Sequence, residues 1–300
     1  MALSVASGLE WHNRKPEEFI DQIVKNTRVL DGFTIIDGVK SKVAVPKYSA
    51  TIAYHADLCS FDPTSSASID EKEMSVATFK WDFINCKDVL ESEYRSMMLR
   101  QGQLNEETMD ADFSDWLFDY FRKLVQEKIV TVAGTELVTE ITTGVDSADV
   151  LTDTLAAATD SNNIYAQLEQ AYQTFSADLL AAVYGDADRE FMPTIYLPTA
   201  SMQAYQIARG DKYTTTPEGI ESGVVGNYMG MEVRHFSSLP ANTILITPPR
   251  NLVMLTDSYN DSLSIQTEYD NKTNSRLVWG QFKLGFDFKN PNHLVYLATA

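Results

Sequence analysis

Cysteine is nearly absent, with only Cys59 and Cys86 in 300 residues. There is no CxxC and no framework of pairs, which excludes a disulfide-stapled secreted scaffold and a cysteine zinc site; a reducing compartment is the default. Histidine is scarce too: His12, His55, His235 and His293 are scattered, and none stands in an HExxH or other close ligand spacing. Each reads as an ordinary surface or interface histidine. Basic residues are outnumbered, 24 against 42 acids, and the formal charge of -18 argues against a surface that grips nucleic acid phosphates through counterion release. No apolar run approaches the ~20 residues of a membrane span. The N-terminus MALSVASGLEWHNRKPEEF lacks the basic-then-apolar layout of a signal peptide, so the chain reads as cytosolic when made.

The motifs of common chemistry are missing as well. There is no GxSxG nucleophile elbow, no GxxxxGK[ST] loop and no GxGxxG fingerprint. Gly219, Gly223, Gly226 and Gly230 precede a predicted strand, where a phosphate cradle would open a helix. Asp257, Asp261, Glu268 and Asp270 suggest a calcium loop only superficially. Tyr259 stands where an oxygen ligand belongs and the turn glycine is missing, so a solvated turn is the better reading. Paired carboxylates exist by necessity among 42 acids and discriminate nothing by themselves. No catalytic residue, metal ligand or cofactor-binding residue is predicted, and no cofactor.

What is present is a globular composition, 44% apolar and 11% aromatic, long enough for one large or two ordinary domains. The longest periodic segment is 106–134. There Met109, Phe113, Trp116, Leu117, Tyr120, Phe121, Leu124, Val125, Ile129 and Val132 recur at three- and four-residue steps. Acids come early and bases late, complementing the helix dipole, and Gly134 supplies an expected stop. Such a helix would be roughly 40 Å long.

Around it, Pro16 opens a short helix in an N-terminal arm. Val39, Val43 and Val45 alternate with lysines, and Phe79, Trp81 and Phe83 alternate with polar residues. These two strand-like runs, joined by a polar tip over 56–72, form an expected long hairpin, which is marginal alone and needs another surface. A helix is expected over 87–99, and a loose strand-then-helix connection over 135–161. A second strong helix is expected over 163–184, then a strand at 194–197 and a helix closed by Gly210. After the glycine-bearing loop 211–227 the remainder reads as strands at 228–235, 243–247, 251–257, 263–269, 276–288 and 293–297. On the best of them, Val278, Phe282, Leu284, Phe286 and Phe288 share one face, with Gln281, Lys283 and Asp287 opposite.

This order of arm, long hairpin, long helix, α/β middle and terminal strands resembles the major capsid proteins of tailed bacteriophages, the Hong Kong-type or Johnson fold. The quoted matches are YLPTASMQAYQIARGDKY, GMEVRHFSSLP with ILITPPRNLVMLTD, SLSIQTEYDNKT and RLVWGQFKLGFDFKNPNHLVYL, and the likeness spans roughly 29–298. It implies an α+β fold with an N-terminal arm (1–34), an extended loop (35–88) and a peripheral domain with a spine helix (89–160). It further implies an axial domain (161–257), returning peripheral strands (258–290) and a C-terminal axial strand (291–300).

The implied function is structural and not enzymatic. The subunit would form hexamers and pentamers tiling an icosahedral shell around double-stranded DNA, held without sequence-specific binding. Implied partners are the chain itself, a scaffolding protein, a portal and decoration proteins, with no membrane; assembly would be in the bacterial host cytoplasm and the product a virion capsid. No long helical segment precedes the arm, which points to a separate scaffolding protein or to prior cleavage. Some relatives join subunits by a lysine–asparagine isopeptide bond. Lys40, Lys42 and Lys47 lie in the matching loop, but no matched asparagine and acid is identified, so the cross-link is not predicted. The rivals are an encapsulin-like nanocompartment shell and, from another class, an acidic carboxylate hydrolase.

Overall fold

The computed structural model describes residues 30, 32–51, 66–86, 111–184, 192–212, 224–257, 266–270 and 275–299. The expected arm helix, the helix over 87–99, Cys59, His12 and His55 lie outside them. The elements begin with β1 (Thr34–Ile36), β2 (Lys42–Thr51), β3 (Ser66–Ser75), β4 (Ala77–Cys86) and α1 (Ala111–Thr143). They continue with β5 (Leu151–Leu155), α2 (Ile164–Gln173), α3 (Ala177–Tyr184), β6 (Thr194–Leu197) and α4 (Thr199–Lys212). Seven strands follow: β7 (Val224–Tyr228), β8 (Met231–His235), β9 (Thr243–Thr247), β10 (Leu252–Thr256), β11 (Gln266–Asp270), β12 (Ser275–Phe288) and β13 (Val295–Thr299).

Three sheets result. A six-stranded sheet runs β5-β13-β9-β6-β8-β7, a five-stranded sheet runs β1-β10-β12-β11 with β4 also on β12, and among the described residues β2 and β3 pair only with each other. Period-two alternation sorts the six-stranded sheet's side chains onto two faces. Ile195, Leu197, Ile244, Ile246, Val295 and Leu297 pack under α2, α3 and α4. Tyr196, Leu245 and Tyr296 face the other way, into the cluster formed by α1 and β12. The long helix α1 contributes Ile129, Val132, Ala133, Leu137 and Ile141, spaced at helical steps, against Leu284, Phe286 and Phe288 of β12.

Several expectations are corrected. Gly134 does not stop α1, which runs nine residues further, to Thr143. Gly134 is buried because the helix passes against Ser238, whose hydroxyl donates to the Val130 carbonyl at 2.5 Å, and a Cβ at 134 would meet the Ser238 backbone. The threonines beyond it return their hydroxyls to carbonyls one turn back, Thr135 to Thr131 at 3.0 Å and Thr139 to Thr135 at 2.8 Å. Their poor helix propensity is overridden by the buried Leu137 and Ile141. The segment expected as a loose connection therefore holds the end of α1 and then β5, which pairs in parallel with β13. Leu151–Leu155 thus sits in the six-stranded sheet and Leu252–Thr256 in the five-stranded sheet.

The single helix expected over 163–184 is two. The break falls at Thr174–Ser176, where Phe175 turns inward and is buried, and the Ser176 hydroxyl accepts from Leu179 N–H at 3.3 Å and donates to the Asn292 carbonyl at 2.9 Å. Gly210 lies inside α4 and does not end it. The extended run expected over 228–235 is a hairpin, β7 and β8 turning at Met229 and Gly230. The long hairpin exists, but its second strand is Ser66–Ser75, whose residues 66–72 fall inside the expected polar tip. Phe79 and Phe83 belong instead to β4, which pairs with β12 from Ala77↔Leu284 to Cys86↔Ser275.

Candidate functional site

The place where the structure concentrates buried charge is the root of the β2–β3 hairpin, where it meets α1 and β12. Only Val76 separates β3 from β4, so the chain leaves the hairpin and joins the five-stranded sheet almost at once. A Cβ at Gly285 would run into the Ser75 carbonyl, so backbone crosses on backbone there. The β4–β12 register ends at Leu284↔Ala77, and among the described residues no strand pairs with that edge of β12 beyond it.

Side chains take over the vacated edge. The Phe286 N–H donates to Glu136 Oε2 at 3.1 Å and the Phe288 N–H to Asp287 Oδ1 at 2.7 Å, while Lys72 Nζ donates to the Phe288 carbonyl at 2.9 Å. This is the general requirement that buried backbone groups be paired, met here by ionisable groups. Lys72 Nζ also donates to Asp287 Oδ1 at 2.7 Å, lies 3.5 Å from Asp146 Oδ2 and sits 3.6 Å from the centre of the Phe288 ring. The Lys72 and Asp287 side chains are 7% and 8% exposed, so solvent screens the pair little.

Acids outnumber bases at this junction. Burial pushes Glu136 up to about 7, the Phe286 N–H opposing and the neighbouring Glu140 adding to it. Glu140 is raised by burial and by Asp287, with Lys72 opposing. Asp287 is itself raised, because burial outweighs the pairing with Lys72. On the hairpin's other flank, Lys283 Nζ donates to the Lys40 carbonyl at 3.1 Å and lies 3.5 Å from the buried carboxylate of Asp257. Val39, Met74, Val253 and Leu255 form a small apolar cluster beneath.

Glu136, Glu140 and Asp287 also line a groove of about 190 Å³ with Ser75, Thr135 and Thr139. It contains the kind of paired carboxylates that a hydrolase would use, but Glu136 is engaged on a backbone N–H and Asp287 on Lys72. The remaining candidates do not converge. His235 Nε2 is 3.0 Å from Thr199 Oγ1 and its pKa is lowered by burial, whereas His293 lies in the short turn before β13. Asp257 is committed to Lys283, Glu268 and Asp270 are on β11, and Asp261, Gly219 and Gly223 lie outside the described residues. Among the described residues no group of three or more His, Cys, Asp or Glu is placed to hold a metal, and no helix is long and apolar enough to cross a membrane. Lys42 is occupied in an exposed bridge to Glu73 at 2.8 Å. The lysine that matters at the root, Lys72, was read as part of a solvated tip; its one sequence signal was its place two residues from Met74, on the same face of a strand.

No family model and no curated protein matches this sequence. The fold does match solved structures. A chain of the satellite phage P4 procapsid superposes with a TM-score of 0.61 at 10% identity, covering 94% of this chain and 98% of that one. A capsid chain of the native GTA particle gives 0.58 at 11% identity, covering 100% and 93%. The virus-like particle from Pyrococcus furiosus gives 0.52 at 12% identity, covering 93% and 95%. The chain has the α+β tailed-phage major capsid fold.

Proposed function

We propose that the chain is the structural major capsid subunit of a tailed phage or phage-like particle, forming hexamers and pentamers that tile an icosahedral shell around double-stranded DNA. The observation that carries this reading is the β2–β3 hairpin: ten registered residue pairs, from Lys42↔Ser75 to Thr51↔Ser66, with no third strand in their sheet among the described residues. A two-stranded ribbon of that length is marginal in water and gains stability by lying on another surface. The likeness of the fold to shell chains over nearly the whole length supports a neighbouring subunit as that surface. Residues 35–88 then act as the extended loop and 1–34 as the arm. The five-stranded sheet with α1 forms the peripheral part, and the six-stranded sheet with α2, α3 and α4 the axial part.

The formal charge of -18 suits a container whose DNA is repelled and held by enclosure. A scaffolding protein, a portal and decoration proteins are the expected partners, the host cytoplasm the place of assembly and the virion the destination. The test is light scattering with negative-stain microscopy on the purified chain, with and without co-expressed scaffolding protein. Closed shells or capsomer-sized rings are expected. A compact monomer under both conditions would overturn the reading in favour of a hydrolase, and a small uniform shell filled with an enzyme would replace the virion by a nanocompartment. Deleting 53–64 with a short linker, which spares β2–β3 pairing, is expected to leave the subunit folded and abolish normal shells.

A further inference from the structure

Three aspartates accept the N–H of the residue that follows them: Asp37 from Gly38 at 2.7 Å, Asp153 from Thr154 at 2.8 Å and Asp287 from Phe288 at 2.7 Å. Each contact puts a main-chain nitrogen beside the carboxyl carbon Cγ, one bond beyond Oδ1, close to the roughly 3–3.5 Å from which a nucleophile attacks. The surroundings of the three differ. Asp287 is buried and paired with Lys72. Asp153 is followed by a β-branched threonine, and its other oxygen accepts from Gln170 Nε2 at 2.7 Å. Asp37 and Gly38 are both exposed, and a Cβ built at Gly38 would meet nothing within 4 Å. Gly38 has no side chain to shield its nitrogen, and its φ of +78° is one that glycine adopts at little cost.

We propose that Asp37-Gly38 is a site of self-modification, where the Gly38 amide captures the Asp37 carboxyl and the aspartate is converted to isoaspartate. The Gly38 nitrogen attacks Cγ of the protonated carboxyl, the N–Cγ bond forms and the Cγ–OH bond breaks. The hydroxyl leaves with the nitrogen's proton as water, and a five-membered succinimide remains. Solvent water then opens the ring. Attack at Cγ restores aspartate. Attack at the Asp37 main-chain carbonyl carbon breaks its bond to the Gly38 nitrogen, which regains a proton and stays joined to Cγ. Nothing is oxidised or reduced, and the carboxylate charge is kept. The product adds one atom to the main chain between two anchored points: Ile36, registered on Leu255, and Val39, whose N–H donates to the Thr256 carbonyl at 3.1 Å. Asp31-Gly32 is the same dipeptide in another setting. There Phe33 N–H donates to the Leu30 carbonyl at 3.1 Å, and a Cβ at Gly32 would come within 2.8 Å of Pro249, so that turn is held.

The reaction takes place within one chain, so its test is separate from that of assembly. The full-length chain is held at about pH 5 and about 37 °C, where roughly a tenth of an ordinary aspartate is protonated, beside a sample unfolded in guanidinium chloride. Isoaspartate is assigned by peptide mapping, with fragmentation that distinguishes the two main-chain routes. In the folded chain it is expected to accumulate at Asp37 at least about 10-fold faster than at Asp31, Asp153 or Asp287, whereas in denaturant Asp37 and Asp31 should agree within about 2-fold. A succinimide at Asp37, lighter by one water, should precede it. Asp37→Glu keeps the charge but would have to close a six-membered ring, so the signal from that peptide is expected to vanish while the other sites are unchanged. A folded-chain rate at Asp37 that does not exceed the rate at Asp31 overturns the proposal. So does the absence of isoaspartate at Asp37 over a time that forms it in the unfolded chain, or a signal that persists in Asp37→Glu.

Discussion

In the six-stranded sheet, Ile244, Ile246, Val295 and Leu297 are wholly buried among apolar residues of α2, α3 and α4. At the hairpin root, beside the helix α1 that backs that sheet, the buried side chains include Lys72 and Asp287, and a strand edge is completed by carboxylates. The first arrangement is held by area removed from water, which is insensitive to pH. The second is held by an ion pair whose attraction is set against a large desolvation cost, so it can be tuned and broken. The comparison separates an apolar platform from a charged junction.

The largest test of that contrast is Ile246→Ala. Opening a cavity in the middle of the six-stranded sheet is expected to cost about 3–4 kcal/mol in denaturant unfolding, equally at acid and neutral pH. Gly285→Ala comes next: the added methyl collides with the Ser75 backbone and forces the root apart. A loss of about 2 kcal/mol is expected, with the increase in amide exchange concentrated in Ser66–Ser75.

Glu136→Gln is expected to have the opposite sign. Glutamine can still accept from Phe286 N–H but carries no charge, so at about pH 8.5 the variant should be more stable by about 1–2 kcal/mol, after allowance for partial exposure. The gain should shrink as pH falls through about 7 and vanish below the ordinary glutamate range, because the wild-type group is then protonated in both states. Equal gains at about pH 8.5 and about pH 4 would mean that Glu136 acts through packing and not through charge. The smallest effect is expected from Lys42→Ala, which removes an exposed bridge: under about 0.5 kcal/mol, and less in salt.

Much of the platform was legible. Strands at 194–197 and 243–247 coincide with β6 and β9, and Leu284, Phe286 and Phe288 share the buried face expected of them. The root was not legible. In β3 the alternation runs against hydropathy: Ile69 is 66% exposed, whereas Lys72 and Met74 turn inward. No local pattern announces a strand whose inward residue is a lysine, since the partner that makes it tolerable, Asp287, lies 215 positions away. Gly134 misled for a related reason. A glycine near the end of a periodic run reads as a helix stop, and only the approach of Ser238 shows that its missing side chain makes room for a neighbour.

The sequence by itself determined the α+β class, the long helix and the core strands, because burial of apolar faces at a period of two or 3.6 is a local property of the chain. The tertiary structure alone decided that the hairpin's second strand is Ser66–Ser75, that β5 closes the six-stranded sheet and that Lys72 is buried. Each of these depends on groups far apart in sequence meeting in a low-dielectric interior, where a charge or an unpaired N–H is tolerated only if a particular distant partner is present.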